Sequence, residues 1–269
     1  MKRFPRTLAL LLALLLTLGA CARAETEVSA LFINVGKADA ALYLLGDQRF
    51  LIDTGTKDSY DQLERVLEAY GVQRLDGVLI THTDKDHVGG LKKLLKSGIA
   101  VDALYAGTLH SEKSLEDHPV YEAAEKYDVP LTWLSAGDVI DLGNGCTFQV
   151  LGPLSQDDED ENNNSLVLRL LTPQGDMLLT GDMELEEENE LIEAGLISQA
   201  AVLKVAHHGR DDTTSRQFAL LVRPQWAVIS TSTAERPDTP SAKVLSYLRD
   251  ARASVAVTQE AQVGILITL

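Results

Sequence analysis

The sequence predicts a single α/β domain in which sheets are covered by helices on their outer faces. Three observations carry this. Apolar strands pair locally in the first part of the chain and then alternate with amphipathic helices. No internal repeat or domain linker interrupts the pattern. About 245 to 250 residues remain once an N-terminal leader is set aside, enough for one sizeable core.

The leader is read first. Lys2, Arg3 and Arg6 precede an apolar run from Thr7 to Leu18, so residues 1–20 are expected to be a secretory signal and not a membrane span. Two processing routes are open. Leu18-Gly19-Ala20-Cys21 is similar to the lipobox of bacterial lipoproteins, which would make Cys21 a lipidated N-terminus. Ala22-Arg23-Ala24 is also an A-x-A site, which would give plain secretion. Either route predicts an exported protein; the first attaches it to a membrane through a lipid anchor and the second leaves it secreted. Residues 21–27 form a short leader, and the domain is expected over 28–269.

"VSALFINV" (Val28 to Val35) reads as the first strand, and "AALYLL" and "RFLID" as a hairpin turning at Gly46-Asp47. "SYDQLERVLEAYG" has apolar residues at helical spacing and stops at Gly71. Strand "LDGVLIT" follows, then helix "DHVGGLKKLLKSG", strand "VDALYAG", a helix around "LEDHPVYEAAEKY" and strand "PLTWL". A strand-rich middle contains "CTFQVLGP", "SLVLRLL" and "DMLLTGD", interrupted by the acidic insertion "SQDDEDENNN". The last part alternates: helix "ELEEENELIEAG", strand "AAVLKVAHHG", helix "SRQFALLV", strand "QWAVIST", helix "SAKVLSYLRDA" and strand "SVAVT". Cys146, alternating with apolar neighbours, is expected to be a small core residue.

The net charge of −16 becomes about −19 when Lys2, Arg3 and Arg6 leave with the signal. So acidic a protein does not gather nucleic acid by counter-ion release and is repelled by anionic lipid headgroups. The same charge also serves simply to keep an exported domain soluble.

Chemistry clusters in two places. "LITHTDKDHVGG" crowds His82, Asp84, Asp86 and His87 just past an apolar strand, and "LKVAHHG" puts His207 and His208 past another. Strand ends of this kind are where α/β proteins place their sites. Carboxylates set so close repel one another, and a cation removes the conflict. His82 and Asp84 alternate on extended chain and point one way together; Asp86 and His87 follow the turn into a helix and face a neighbouring position. The spacing therefore suits two cations. A helix dipole would explain the aspartates but neither histidine. No G-x-S-x-G element is present.

This arrangement resembles the metallo-β-lactamase superfamily, with His82-x-Asp84-x-Asp86-His87 in place of H-x-H-x-D-H. The variant looks like the soluble hydrolase domain of ComEC-type competence proteins and its free-standing relatives. "FINVGKADAALYLL", "FLIDTG", "NNNSLVLRL", "LLTGDME", "LKVAHHG" and "PSAKVLSYLRDARASV" are similar to that family's segments in the same order.

The resemblance implies an αββα sandwich and two divalent metals, zinc or manganese, at one edge between the sheets. His82, Asp84 and Asp182 would hold one. Asp86, His87, Asp182 and one of the His207-His208 pair would hold the other. By analogy with phosphorylcholine esterases, His208 is taken as the ligand and His207 as a substrate contact. Catalytic roles fall to Asp86, Asp182 and His207, and substrate contacts to His207, Asn164 and Arg210. Asp53 is expected to orient a ligand histidine, Asp39 to hold its loop, and Lys204 to be a buried ion-pair partner. Where the wider superfamily has a third histidine motif, this chain has only Asn162, Asn163 and Asn164. Fewer imidazoles shift the site towards harder cations, which favours manganese as a rival to zinc. Lys37-Ala38 and Arg210 also depart from the closer pattern.

The expected activity is phosphodiester hydrolysis by a metal-held hydroxide. The alternatives are a lactone, amide or other ester hydrolase on the same scaffold, or a non-catalytic binding lipoprotein. Nuclease activity is what the resemblance favours, whereas "DDEDE" (Asp157 to Glu161) at the expected site mouth favours a small phosphodiester. No protein partner is indicated.

Overall fold

The computed structural model describes residues 27–111 and 114–269. The proposed signal, Cys21 and most of the leader lie outside the described residues, and no helix among the described residues is long and apolar enough to cross a membrane.

The first half contains strands β1 (Val28–Ile33), β2 (Ala41–Leu45), β3 (Gln48–Ile52), β4 (Arg74–Leu75), β5 (Gly77–Ile80), β6 (Ala100–Val101), β7 (Leu104–Gly107) and β8 (Leu131–Leu134). The second half contains β9 (Val139–Asp141), β10 (Thr147–Gly152), β11 (Val167–Thr172), β12 (Gly175–Leu179), β13 (Val202–Lys204), β14 (Trp226–Ile229), β15 (Ser254–Val257) and β16 (Gly264–Thr268). The α-helices are α1 (Tyr60–Ala69), α2 (Lys85–Val88), α3 (Leu91–Leu94), α4 (Pro119–Tyr127), α5 (Leu185–Glu193), α6 (Arg216–Val222) and α7 (Ala242–Asp250).

Two seven-stranded sheets face each other, in the orders β16-β1-β2-β3-β5-β7-β8 and β15-β14-β13-β12-β11-β10-β9. Their inner faces meet in a core where Phe32, Tyr43, Phe50 and Phe148 stack edge to face at 5.8 to 6.4 Å. Cys146 is buried in this layer. On the outer face of the first sheet, Leu63 and Leu67 of α1 and Ala123 of α4 pack on Leu51 and Val78. Outside the second, Leu191, Phe218, Val244 and Leu248 from α5, α6 and α7 cover Leu203 and Ile229. Most inner strands are thus apolar on both faces, and β1 is buried along its whole length. The result is the αββα sandwich.

Caps place the later helices. Ser215 accepts from Phe218 N–H ahead of α6, and Ser241 accepts from Val244 N–H ahead of α7. The expected helix over 86–98 is instead two single turns, α2 and α3, separated by Gly89-Gly90. A Cβ on Gly89 would fall on the Lys85 carbonyl oxygen, and one on Gly90 would lie 2.3 Å from the Thr54 carbonyl oxygen. The glycines let this backbone press against the β3 loop. Strands β9 and β16 have no counterpart in the sequence reading. The latter pairs antiparallel with β1 and ties the two ends of the domain together.

Candidate metal centre

β3 and β5 run parallel, as do β12 and β13. Their C-terminal ends therefore open on one edge, and four following loops converge there: 53–55, 81–88, 180–182 and 206–209. Three non-glycine residues in these loops, Asp53, His207 and His208, adopt left-handed backbone at φ 59°, 44° and 56°. Such conformations cost free energy and persist only where surrounding contacts hold them. Here His207 N–H donates to Gly181 O at 3.2 Å and Thr54 N–H to His87 O at 2.7 Å.

The three histidines nearest the centre are each held through one ring nitrogen. His87 Nδ1 lies 2.8 Å from Asp53 Oδ2, His208 Nδ1 2.8 Å from Ser230 O, and His82 Nδ1 3.1 Å from Thr81 Oγ1. Asp53 is itself fixed, accepting from Thr81 N–H and Thr81 Oγ1–H. This leaves the Nε2 atoms of His82, His87 and His208 buried with no hydrogen-bond partner, as is Asp182 Oδ1. Asp182 sits among them: Oδ1 is 3.2 Å from His87 Nε2, and Oδ2 is 3.2 Å from His208 Nε2. Asp86 Oδ2 lies 3.4 Å from His208 Nε2 and Asp84 Oδ2 4.0 Å from His82 Nε2.

Buried polar atoms left without partners cost about 1–3 kcal/mol each. Several aimed at one point, with their other ring nitrogens anchored, fit a divalent cation. Asp39, His87, Asp182 and His208 bring one ligand atom apiece within 4.8 Å of each other.

The charges are strongly interdependent. Burial opposes ionisation throughout, but the imidazoles of His208 and His87 outweigh it and hold the Asp182 carboxyl well below the usual range. Burial likewise opposes a proton on His87, yet Asp182 and Asp53 keep its pKa well above the ordinary value. His82 behaves oppositely. Burial and the neighbouring His87 push it down to about 3, so it stays neutral and offers a free lone pair.

Among the residues expected around the ligands, Asp53 contacts His87 as described. Lys204 is buried and pairs with Asp39 at 2.7 Å. Asp39 is expected near the site, holding its loop. Its backbone does so, but its carboxylate joins the ligand cluster, and Oδ1 is buried without a partner. His207 stands apart from His208, with Nδ1 3.1 Å from Glu184 Oε1 and Nε2 3.6 Å from Asp182 Oδ2. Arg210 approaches His207 Nε2 at 3.4 Å and pairs with Asp212. Asn164, expected against substrate, is 1% exposed and turned the other way. Its side chain accepts from Asp157 N–H and donates to Asp157 O and Glu161 Oε2, so it pins the acidic loop.

Lys37, a departure from the closer pattern, donates to Asp86 Oδ2 at 2.6 Å and so sits directly on an expected ligand. Sequence reading missed Thr81, Ser230, Glu184 and Asp212. Thr81 beside His82, Glu184 two residues after Asp182 and Asp212 two residues after Arg210 had a positional signal; Ser230 had none. Glu161, beyond the asparagines' other side, bonds Thr83 N–H and Ser111 N–H and so links the acidic loop to the His82–His87 segment.

Comparison with known proteins agrees with this architecture. ComE operon protein 3 of Bacillus subtilis is 33% identical over 262 residues, covering 91% of this chain and 33% of that protein. The chain spans a third or less of the length of the curated competence and recombination proteins at the head of the matches. Among solved structures, a diphosphatase of the PhnP family superposes with a TM-score of 0.57 at 15% identity, covering 90% of this chain and 97% of its own. CmlA, a diiron β-hydroxylase from Streptomyces venezuelae, superposes at 0.62 with 12% identity, covering 91% and 54%. These two share the fold and differ in chemistry, so the fold alone does not name a reaction. The Metallo-beta-lactamase superfamily profile matches residues 33–232, and the chain belongs to that superfamily.

Proposed function

We propose that this protein is an exported, metal-dependent phosphodiesterase that acts on a small phosphodiester. The observation that carries the reading is the convergence of the anchored His87 and His208 Nε2 atoms on Asp182, with His82 Nε2 buried and unpartnered beside His87. His82, Asp84 and Asp182 would hold one divalent cation, and Asp86, His87, Asp182 and His208 a second, with Asp39 beside the latter. Zinc and manganese both suit this mixture of nitrogen and oxygen donors. When bound, such ions would supply Lewis-acid activation of water near neutral pH and offset charge on the substrate.

The chain's own residues complete the chemistry. Asp182, buried and held ionised by His208 and His87, would offer its negative charge to the cations. Asp53, Thr81 and Ser230 hold the three rings so that Nε2 faces inward. His207 is positioned by Glu184 to meet the phosphate or to hand a proton to the leaving oxygen. Arg210, 3.4 Å from His207 Nε2, would meet a phosphate on that side, whereas the charge of Lys37 is taken up by Asp86.

The likeness to competence proteins favours a nucleic-acid substrate, but the net charge of −16 and the acidic loop beside the site oppose a long polyanion. Export rests on the leader's charge and apolar pattern, with anchoring by lipidated Cys21. The test is chelation followed by reloading with manganese or zinc, then turnover on bis-p-nitrophenyl phosphate, a phosphorylcholine ester, single-stranded DNA and a β-lactam. Metal-dependent turnover of the small diesters is expected to exceed the rest. Hydrolysis of the lactam alone, or no bound metal after reloading, would overturn it.

A further inference from the structure

Beside the candidate metal centre lies a basin of ≈ 730 Å³, bounded by the acidic loop and the start of α5. Among the described residues, nine carboxylates line it, and no lysine or arginine does. Exposed acids in the first turn of a helix are ordinary, because the helix dipole favours them. Glu187 is not of that kind. It is 3% exposed, lines the basin, and neither carboxylate oxygen has a hydrogen-bond partner. Burial and the nearby Glu190 raise its pKa well above the usual carboxylate range.

Its neighbour provides the contrast. Glu188 is equally buried, but both its oxygens lie within hydrogen-bonding reach of Ser215 N–H at the start of α6. This fold satisfies one buried carboxylate and leaves the adjacent one open. Space is also kept for it: a Cβ on Gly152 would come within 2.8 Å of Glu187 Oε1. At the other wall, Glu184 touches both the basin and His207, and Asp212 Oδ1 is buried without a partner.

We propose that this basin binds an organic cation bearing two or more ammonium groups, with Glu187 as the buried anchor. A bare metal ion fits less well. Among the described residues, the metal-ligating trio that touches its wall is Glu184 and Asp212 with the adjacent His207, where Arg210 already neutralises Asp212. The volume is also far beyond a single ion. Amines suit the basin because each ammonium donates three hydrogen bonds and demands no fixed coordination geometry. If the phosphodiesterase reading holds, the basin carries the cationic part of the substrate, and Glu184 connects it to His207 at the reacting end. That clause rests on the reading above; cation binding itself does not.

The experiment is calorimetric titration of spermidine into chelator-stripped protein. Saturable one-to-one binding is expected. Glu187→Gln should weaken it about tenfold or more, as for loss of one charge-assisted hydrogen bond, and Glu190→Gln should weaken it as well, with circular dichroism checking the fold. Glu116→Gln makes the same charge change at an exposed site outside the basin and should leave the affinity alone. Absence of saturable binding would overturn the proposal. So would equal losses in Glu187→Gln and Glu116→Gln, which would mean general electrostatic attraction only. Calcium that binds through Glu187 and excludes spermidine would replace the amine with an inorganic occupant. Because the spermidine titration itself contains no metal, failure of the hydrolase reading would instead appear as intact spermidine binding without turnover in the reloaded protein.

Discussion

Asp53→Asn tests how the centre presents its imidazoles. Asp53 sits at φ 59°, a left-handed conformation that asparagine tolerates well, so the backbone should not object. Its carboxylate accepts three hydrogen bonds: from Thr81 N–H at 2.8 Å, Thr81 Oγ1–H at 2.9 Å and His87 Nδ1–H at 2.8 Å. A carboxylate only accepts, so it fixes the proton on Nδ1 and leaves Nε2 free for a cation. An amide cannot do this in either orientation. With its oxygen towards Thr81 N–H, its NH2 meets His87 Nδ1–H, and the ring must carry its proton on Nε2 instead. With the amide flipped, NH2 meets Thr81 N–H.

The expected loss is about 10- to 100-fold in metal affinity, or roughly 1.4–2.7 kcal/mol. Asp53 also helps to hold a proton on His87 in the metal-free protein, which a cation must displace. The gap between variant and wild type should therefore widen as pH rises. Competition for zinc against a chromophoric chelator, at several pH values, measures it. Affinities within twofold of each other at the alkaline end would refute the assignment of His87 Nε2 as a ligand.

Asp182→Asn keeps the shape of the side chain expected to touch both cations and removes its charge. Elemental analysis should show loss of at least one metal, with turnover falling by roughly a hundredfold or more; full activity with two bound metals would contradict the ligand set. Gly90→Ala should destabilise the domain by about 1–3 kcal/mol in denaturant titration, since backbone must move to admit a Cβ 2.3 Å from Thr54 O. His118 caps α4 by accepting from Val120 N–H, and burial with neighbouring His110 lowers its pKa to about 4. A folded pKa below the ordinary value of 6.5 means that the unfolded chain takes the proton first. The stabilisation is complete above that value and falls as pH drops towards 4. His118→Asn keeps a capping acceptor that does not titrate, so its melting temperature should fall less than that of wild type over this range; parallel curves would argue against the shift.

Much of this protein was decided along the chain itself. Strand and helix order follow from local apolar patterning, while the αββα layering and the expected grouping of His82, Asp84, Asp86, His87, Asp182 and His208 are what the resemblance carried by short motifs implies. Those signals survive because each strand end carries its reactive residues within a few positions. The strand β16 escaped notice because its role is to pair with β1, more than 200 residues away, and pairing across such a distance leaves no local trace. Other properties belong to three dimensions only. Asp39 enters the ligand cluster because the β1–β2 loop folds over α2, where Asp39 N–H donates to Asp86 O. Asn164 turns from the centre because Asp157 and Glu161 offer its amide nearer partners. Glu187 reads as an unremarkable first-turn acid until the packing of α5 against β10 buries it. A sequence states which groups can carry charge; whether a charge meets water, a proton or an opposing ion depends on what distant segments bring beside it.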